Sequence, residues 1–238
     1  MLRDYAGNNP ADPPASSEVE VVVFGPGFGE SVLLHLGGGR WVVVDSCVPR
    51  GSKTPAPLWY LRQLGFDPAK SVDLIIITHW HDDHIRGMGA LVDECVNARV
   101  CLPSAMGTKE FIAMTMNHEK HIFLQFGSGA QEIVKVMRTL ADSKPPRSTP
   151  IFAAPNMPVY QLAASDSAHG EVCQVYTLSP SDADHLEFLR DVGQRVASQT
   201  GAKTCAPVPE TNHAAVVVQV VIGDYGILLG ADLEENSD

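Results

Sequence analysis

The sequence predicts a mixed α/β fold, and three observations carry that prediction. Residues 19–45 hold three β-branched runs separated by glycine-rich turns, residues 71–78 form a continuously apolar strand, and a stretch of helical periodicity separates these from a final hairpin at 214–230. Two β-rich ends thus flank a helical middle. A chain of 238 residues with 45% apolar content can bury a substantial core within one domain.

The elements follow in order. Residues 1–18 are polar and Pro-rich, lack the apolar stretch of a signal peptide, and read as a flexible N-terminal segment ahead of a domain over 19–238. VEVVVF (19–24), SVLLHL (31–36) and RWVVVD (40–45), with turns at Gly25–Gly29 and Gly37–Gly39, have the pattern of an antiparallel meander. After Pro49–Pro57 comes a short helix over Leu58–Leu64. The strand SVDLIIIT (71–78) has no polar alternation along its apolar half, so burial on both faces is expected. Helical periodicity resumes at 87–95, a strand is expected near 98–102, and further helices over 108–126 and 130–141. The breaker-rich segment SKPPRSTPIFAAPNMP (143–158) reads as a Pro-rich linker or surface excursion. Strands at 158–163 and 171–178, a helix over 181–198, and hairpin strands at 214–223 and 227–230 complete the prediction.

At the C-terminal end of the buried strand lies Thr78-His79-Trp80-His81-Asp82-Asp83-His84. Its H-x-H-x-D-H spacing brings together the nitrogen and oxygen donors that Zn2+ and related first-row ions prefer. On extended backbone His79 and His81 project to one face and Trp80 to the other, while Asp83 and His84 fall in the following turn, where they can reach a second ion. Binuclear sites with metals roughly 3.5 to 4 Å apart are a known hydrolytic design. Antiparallel pairing of the last hairpin brings His213, before its first strand, and Asp232, after its second, to a common edge that can face the His79 turn. The other histidines, His35, His118, His121, His169 and His185, stand alone and read as ordinary core or surface residues.

Charge and cysteine content narrow the setting. The 17 basic and 28 acidic residues give a formal charge of −11, which disfavours strong non-specific attraction to nucleic acid or anionic membrane. Five cysteines (Cys47, Cys95, Cys101, Cys173, Cys205), widely spaced and without a C-x-x-C pair, indicate neither a disulfide framework nor a cysteine zinc site, and point to a reducing cytoplasm. No apolar run reaches the roughly 18 residues of a membrane span.

The run HWHDDH after SVDLIIIT, preceded by WVVVD, resembles the signature of the metallo-β-lactamase-fold superfamily of hydrolases. That resemblance implies a four-layer αββα sandwich. It makes Asp45 a supporting residue beside the site, His213 the counterpart of a third histidine, and Asp232 a bridging carboxylate. THWHDDHIRGMGAL, TLSP and the Asn-containing turn before the hairpin look most like the metallo-β-lactamase domain of competence-type DNA-uptake proteins. The family usually supplies one more histidine some tens of residues after the bridging Asp. This sequence stops at Asp238, so the expectation is a domain truncated at its C-terminus, with partner domains beyond it.

The expected chemistry is hydrolysis by a water activated between two divalent ions, Zn2+ first, with Mn2+ or Fe2+ also suited to this donor set. The ligands are His79, His81, Asp83, His84, His213 and Asp232. Asp83 and Asp232 are candidates for proton transfer, and Asn212 and Thr211 for orienting substrate oxygen. The first expected substrate is a phosphodiester, in a small molecule or a nucleic acid; a thioester, lactone or lactam is the alternative, and a metal-bearing recognition or sensor domain is the non-enzymatic one.

Overall fold

Alternation along two central strands sets the layers. In β3 (Trp41–Val44) and β4 (Val72–Ile76), Trp41, Val43 and Ile75 join one apolar cluster while Val42, Val44, Leu74 and Ile76 join another, and each strand is buried on both faces. The structure is a computed structural model and describes residues 12–25, 29–108, 127–144, 146–187, 190 and 215–232. A six-stranded sheet runs in the order β1 (Glu20–Phe24), β2 (Ser31–His35), β3, β4, β5 (Arg99–Pro103) and β6 (Ile151–Ala153). The first three strands pair antiparallel as a meander, and β3 to β6 pair parallel.

A four-stranded antiparallel sheet, in the order β10 (Tyr225–Leu229), β9 (Val218–Ile222), β8 (Cys173–Thr177) and β7 (Met157–Leu162), covers one face of the first. Val159, Val175, Val218, Val220 and Ile222 fill the core between the sheets. The other face of the six-stranded sheet is covered by α1 (Ala56–Gln63), α4 (Met88–Glu94) and α5 (Gly127–Asp142), through Leu58, Leu61, Leu91, Val92, Ile133 and Val136. The short helices α2 (Pro68–Ser71) and α3 (Asp82–Ile85) bracket β4 and the site. Among the described residues, helices, sheet and sheet make three layers of the expected four. Of the helix expected over 181–198, residues 181–187 and 190 are described, and 182–187 and 190 are helical.

Two differences from the sequence reading have physical causes. The segment 143–158 is not a plain excursion: Ile151, Phe152 and Ala153 pair with Cys101, Leu102 and Pro103, and Ala153 is fully buried. A three-residue edge strand between prolines is too short to show a period, and prolines are tolerated at such an edge. The first hairpin strand starts at Val218 rather than at 214, because Val216 N–H donates to Thr78 O at 3.0 Å, across to the end of β4, before pairing with β8 begins. Of the helix expected over 108–126, all but the first residue lies outside the described residues.

Candidate metal centre

The centre is built on the C-terminal edge of the parallel strands, where the chain leaves β3 and β4 for loops. Asp45 follows β3 with φ 59°, a left-handed conformation that bends its carboxylate beneath the end of β4. Its Oδ1 accepts Thr78 N–H at 2.8 Å and its Oδ2 accepts Thr78 Oγ1–H at 2.6 Å. The same Oδ2 lies 2.9 Å from His84 Nδ1. Ser46 N–H then donates to His84 O at 2.8 Å, and Ser46 Oγ to Arg86 O at 3.0 Å, so the exit of β3 holds the turn that carries His84.

These bonds settle which nitrogen each imidazole presents. Thr78 Oγ1 gives its hydrogen to Asp45, so its 2.9 Å contact with His79 Nδ1 is one in which the ring donates, leaving the lone pair on His79 Nε2. His84 Nδ1–H likewise donates to Asp45, which turns its Nε2 outward. His81 caps the start of α3 and its carbonyl accepts His84 and Ile85 N–H at 3.0 and 3.1 Å. The rings of His79 and His81 have centroids 4.8 Å apart, and those of His79 and His84 4.3 Å apart. Trp80 points the other way, into the core on the helical side.

Asp232 closes the cluster from the second sheet. Beyond β10, Ala231 adopts φ 48°, and the turn brings the Asp232 carboxylate to 3.6 Å from His79 Nε2 and 3.3 Å from His84 Nε2. His79, His81 and Asp232 form one group whose potential ligand atoms lie within 4.8 Å of one another; Asp83, His84 and Asp232 form another. The two groups share Asp232. His79 and His84 are buried, whereas Asp232 keeps 38% of its side chain exposed, so the cluster has a dry floor and an accessible rim.

Electrostatics follow from this burial. Desolvation, with the neighbouring His84 and His81, pushes His79 down to about 3, so its ring is neutral at pH 7. Burial also works against charge on His84, but the hydrogen bond and charge of Asp45, helped by Asp232 and Asp83, push it up to about 9. Burial raises the Asp45 carboxyl above the usual range, against the pull of His84 and Thr78.

One atom tests the fit of a cation. His79 Nε2 is buried, carries a lone pair, and has no hydrogen-bond partner among the described residues. Such an atom is destabilising unless something accepts its lone pair. Aimed at a carboxylate and flanked by two further imidazoles, it suits a divalent cation with mixed nitrogen and oxygen ligands.

Of the residues singled out in the sequence, the structure brings His79, His81, Asp83, His84 and Asp232 together and puts Asp45 beneath them. His213, Asn212 and Thr211 lie outside the described residues. The motif spacing gives Thr78 no role, although it bonds both Asp45 and His79. The signal available for it was its place between the apolar strand and the first histidine. His35 is a core residue bonded to Glu18 O and Gly39 N–H.

The family model of the metallo-beta-lactamase superfamily matches residues 24–122, a stretch that includes β2 to β5 and the whole H-x-H-x-D-H run. Over that stretch the chain is similar to the metallo-beta-lactamase superfamily. A UPF0173 metal-dependent hydrolase of Cupriavidus taiwanensis is 34% identical over 88 residues, which are 33% of this chain and 29% of that protein. Among solved structures, the metallo-beta-lactamase with a HARLDQ motif from Cronobacter sakazakii aligns at 15% identity and TM-score 0.46, over 91% of this chain and 61% of the other. The metallo-beta-lactamase fold protein YhfI from Bacillus subtilis aligns at 16% identity and TM-score 0.44, over 90% and 61%. The chain thus spans less than two thirds of the length of each of these relatives. Among the described residues, no helix is long and apolar enough to cross a membrane.

Proposed function

We propose that this protein is a metal-dependent hydrolase acting through two divalent cations, with phosphodiesters as its first substrate class. The observation that carries the reading is the orphaned Nε2 of His79, set among two groups of potential ligands that share Asp232. The Cupriavidus taiwanensis relative, named a metal-dependent hydrolase, supports the same class.

Bound cations would acidify a water and neutralise charge developing on the attacked centre. The residues of this chain do the rest. His79 and His81 would hold one cation and Asp83 and His84 the other, with Asp232 between them and His213 as a further proposed ligand. Asp45 and Thr78 keep the Nδ1 hydrogens of His84 and His79 away from the centre, so that Nε2 faces it in both rings. The half-exposed Asp232 carboxylate, or that of Asp83, would accept the proton lost by water, and Asn212 and Thr211 would orient a substrate oxygen. Phosphodiesters come first because their transition state concentrates negative charge where paired cations act. Zn2+ suits the histidine-rich set best, ahead of Mn2+ and Fe2+. The charge of −11 favours local recognition of a phosphate group over a broad nucleic-acid surface.

The test is metal analysis followed by turnover of an aryl phosphodiester, DNA, a thioester, a lactone and a lactam. The expected result is bound metal with phosphodiester hydrolysis, and loss of both on the order of 100-fold in His81→Ala and Asp232→Asn. Faster turnover of the thioester, lactone or lactam would move the site to that class. Tightly held metal with no turnover of any of them would point to a recognition or sensor domain.

A further inference from the structure

The run HWHDDH carries two adjacent carboxylates with different destinations. Asp83 belongs to a group of potential ligands with His84 and Asp232; Asp82 belongs to no such group. Its Oδ1 instead accepts the backbone N–H of Gly129, in the first turn of the 16-residue helix α5. That turn carries N–H groups with no partner inside the helix and the positive end of its dipole, so a carboxylate is the natural cap. Gly129 also packs against the motif from outside. A Cβ built on it would lie 2.1 Å from Trp80 O and 3.2 Å from Asp82 Oδ1, so only glycine allows this approach.

The two contacts fall on the residues before and after His81. Trp80 O abuts Gly129, and the side chain of Asp82 is bonded to Gly129 N–H. Helix α5 is itself held in place. Ile133 and Val136 are buried in the core, and Glu132 Oε2 accepts Gly89 N–H of α4 at 2.9 Å. We infer that Gly129 and Asp82 form a latch through which the first turn of α5 positions the Trp80–His81 segment, and with it the His81 ring at the candidate centre. This rests on reading that cluster as a metal centre. Asp82 and Gly129 are positioning residues, acting on the ligand set through the backbone on either side of His81.

The experiment uses Gly129→Ala, Asp82→Ala and Asp82→Asn in the full chain. Zn2+ affinity is measured by chelator competition, and the geometry of the bound ion is followed by the visible spectrum of the Co2+-loaded protein. Gly129→Ala and Asp82→Ala are expected to weaken Zn2+ binding by about 10- to 100-fold, the usual effect of removing an outer-shell support, and to shift the Co2+ bands. Asp82→Asn keeps an oxygen for Gly129 N–H and is expected to recover most of the affinity and the native spectrum. Should Gly129→Ala fail to fold by near-ultraviolet circular dichroism, the Asp82 pair decides, since neither variant adds bulk. Native affinity and spectrum in folded Asp82→Ala would overturn the latch while leaving the metal centre intact. Asp82→Asn as weak as Asp82→Ala would replace the latch by a simple charge effect. A wild-type protein that binds neither Zn2+ nor Co2+ would overturn both the latch and the centre.

Discussion

Asp45 and Asp73 sit at opposite ends of the parallel strands β3 and β4, and their surroundings differ in what they leave over. Asp73, at the start of β4, is gripped by Arg40, with Nε to Oδ2 at 2.7 Å and Nη2 to Oδ1 at 2.6 Å, and by Tyr160 OH from the second sheet at 2.6 Å. Its charge is answered within the protein, and the group ties the two sheets together. Asp45, at the end of β3, is equally well bonded, but its partners pass the constraint onward. Thr78 fixes His79, His84 is held directly, and the series ends at a buried Nε2 with no hydrogen-bond partner among the described residues. One carboxylate terminates a network; the other begins one that needs a ligand.

The largest effect separating the two ends should come from removing each carboxylate. Asp45→Ala strands the buried His84 and frees Thr78, and is expected to destabilise by about 3–5 kcal/mol and to weaken metal binding. Asp73→Ala leaves Arg40, whose side chain is already 43% exposed, free to rehydrate, and should cost only about 1 kcal/mol with metal affinity unchanged. Denaturant unfolding of both variants checks the contrast, and equal losses would erase it.

Filling the open end comes next. Zn2+ at about 100 times its Kd should stabilise the native state by about 2.7 kcal/mol, a rise in Tm of roughly 5–10 °C that EDTA reverses. A melting curve indifferent to both reagents would argue that no cation is bound. In chelator, His79→Leu should raise stability by about 1 kcal/mol, because an apolar side chain of similar size replaces a buried unpaired nitrogen, while metal binding and turnover disappear. Lower stability of that variant in chelator would show that His79 is already satisfied.

The smallest change concerns how Asp232 reaches the cluster. Ala231 holds φ 48°, which a side chain disfavours and glycine does not, so Ala231→Gly should add up to about 1 kcal/mol with metal affinity retained. Weaker metal binding in this variant would instead mean that the stiffness of the alanine turn helps to hold Asp232.

Much of the scaffold was legible in the chain because its signals are local. β-branched runs and glycine turns mark the meander, and the alternation in VQVVI and CQVYT marks strands with one face in the core. The helix Gly127–Asp142 shows its period, and its first turn carries the Gly129 N–H that donates to Asp82. The edge strand at 151–153 escaped because three residues carry no period, and α2 because four residues held by the Asp67 cap look like a turn. Within the candidate site, spacing singled out His79, His81, Asp83 and His84, and hairpin geometry brought in Asp232. Spacing also set Asp83 apart from Asp82, but it gave Asp82 no role, because that role depends on Gly129 packing against it from a distant helix.

The sequence by itself determined which atoms are on offer: three imidazoles and a carboxylate at set intervals after a buried strand, with a second carboxylate at the end of a hairpin. Those choices are local, governed by strand alternation and turn length. Tertiary structure alone decided which nitrogen each imidazole presents, that Asp82 accepts from the first turn of α5, and where the series of hydrogen bonds from Asp45 stops. Each of those outcomes depends on groups at least 33 residues apart in sequence, from Asp45 to Thr78 and His84, and from Asp82 to Gly129. Burial makes such contacts decisive, because away from water a polar atom must find its partner within the protein or in a ligand.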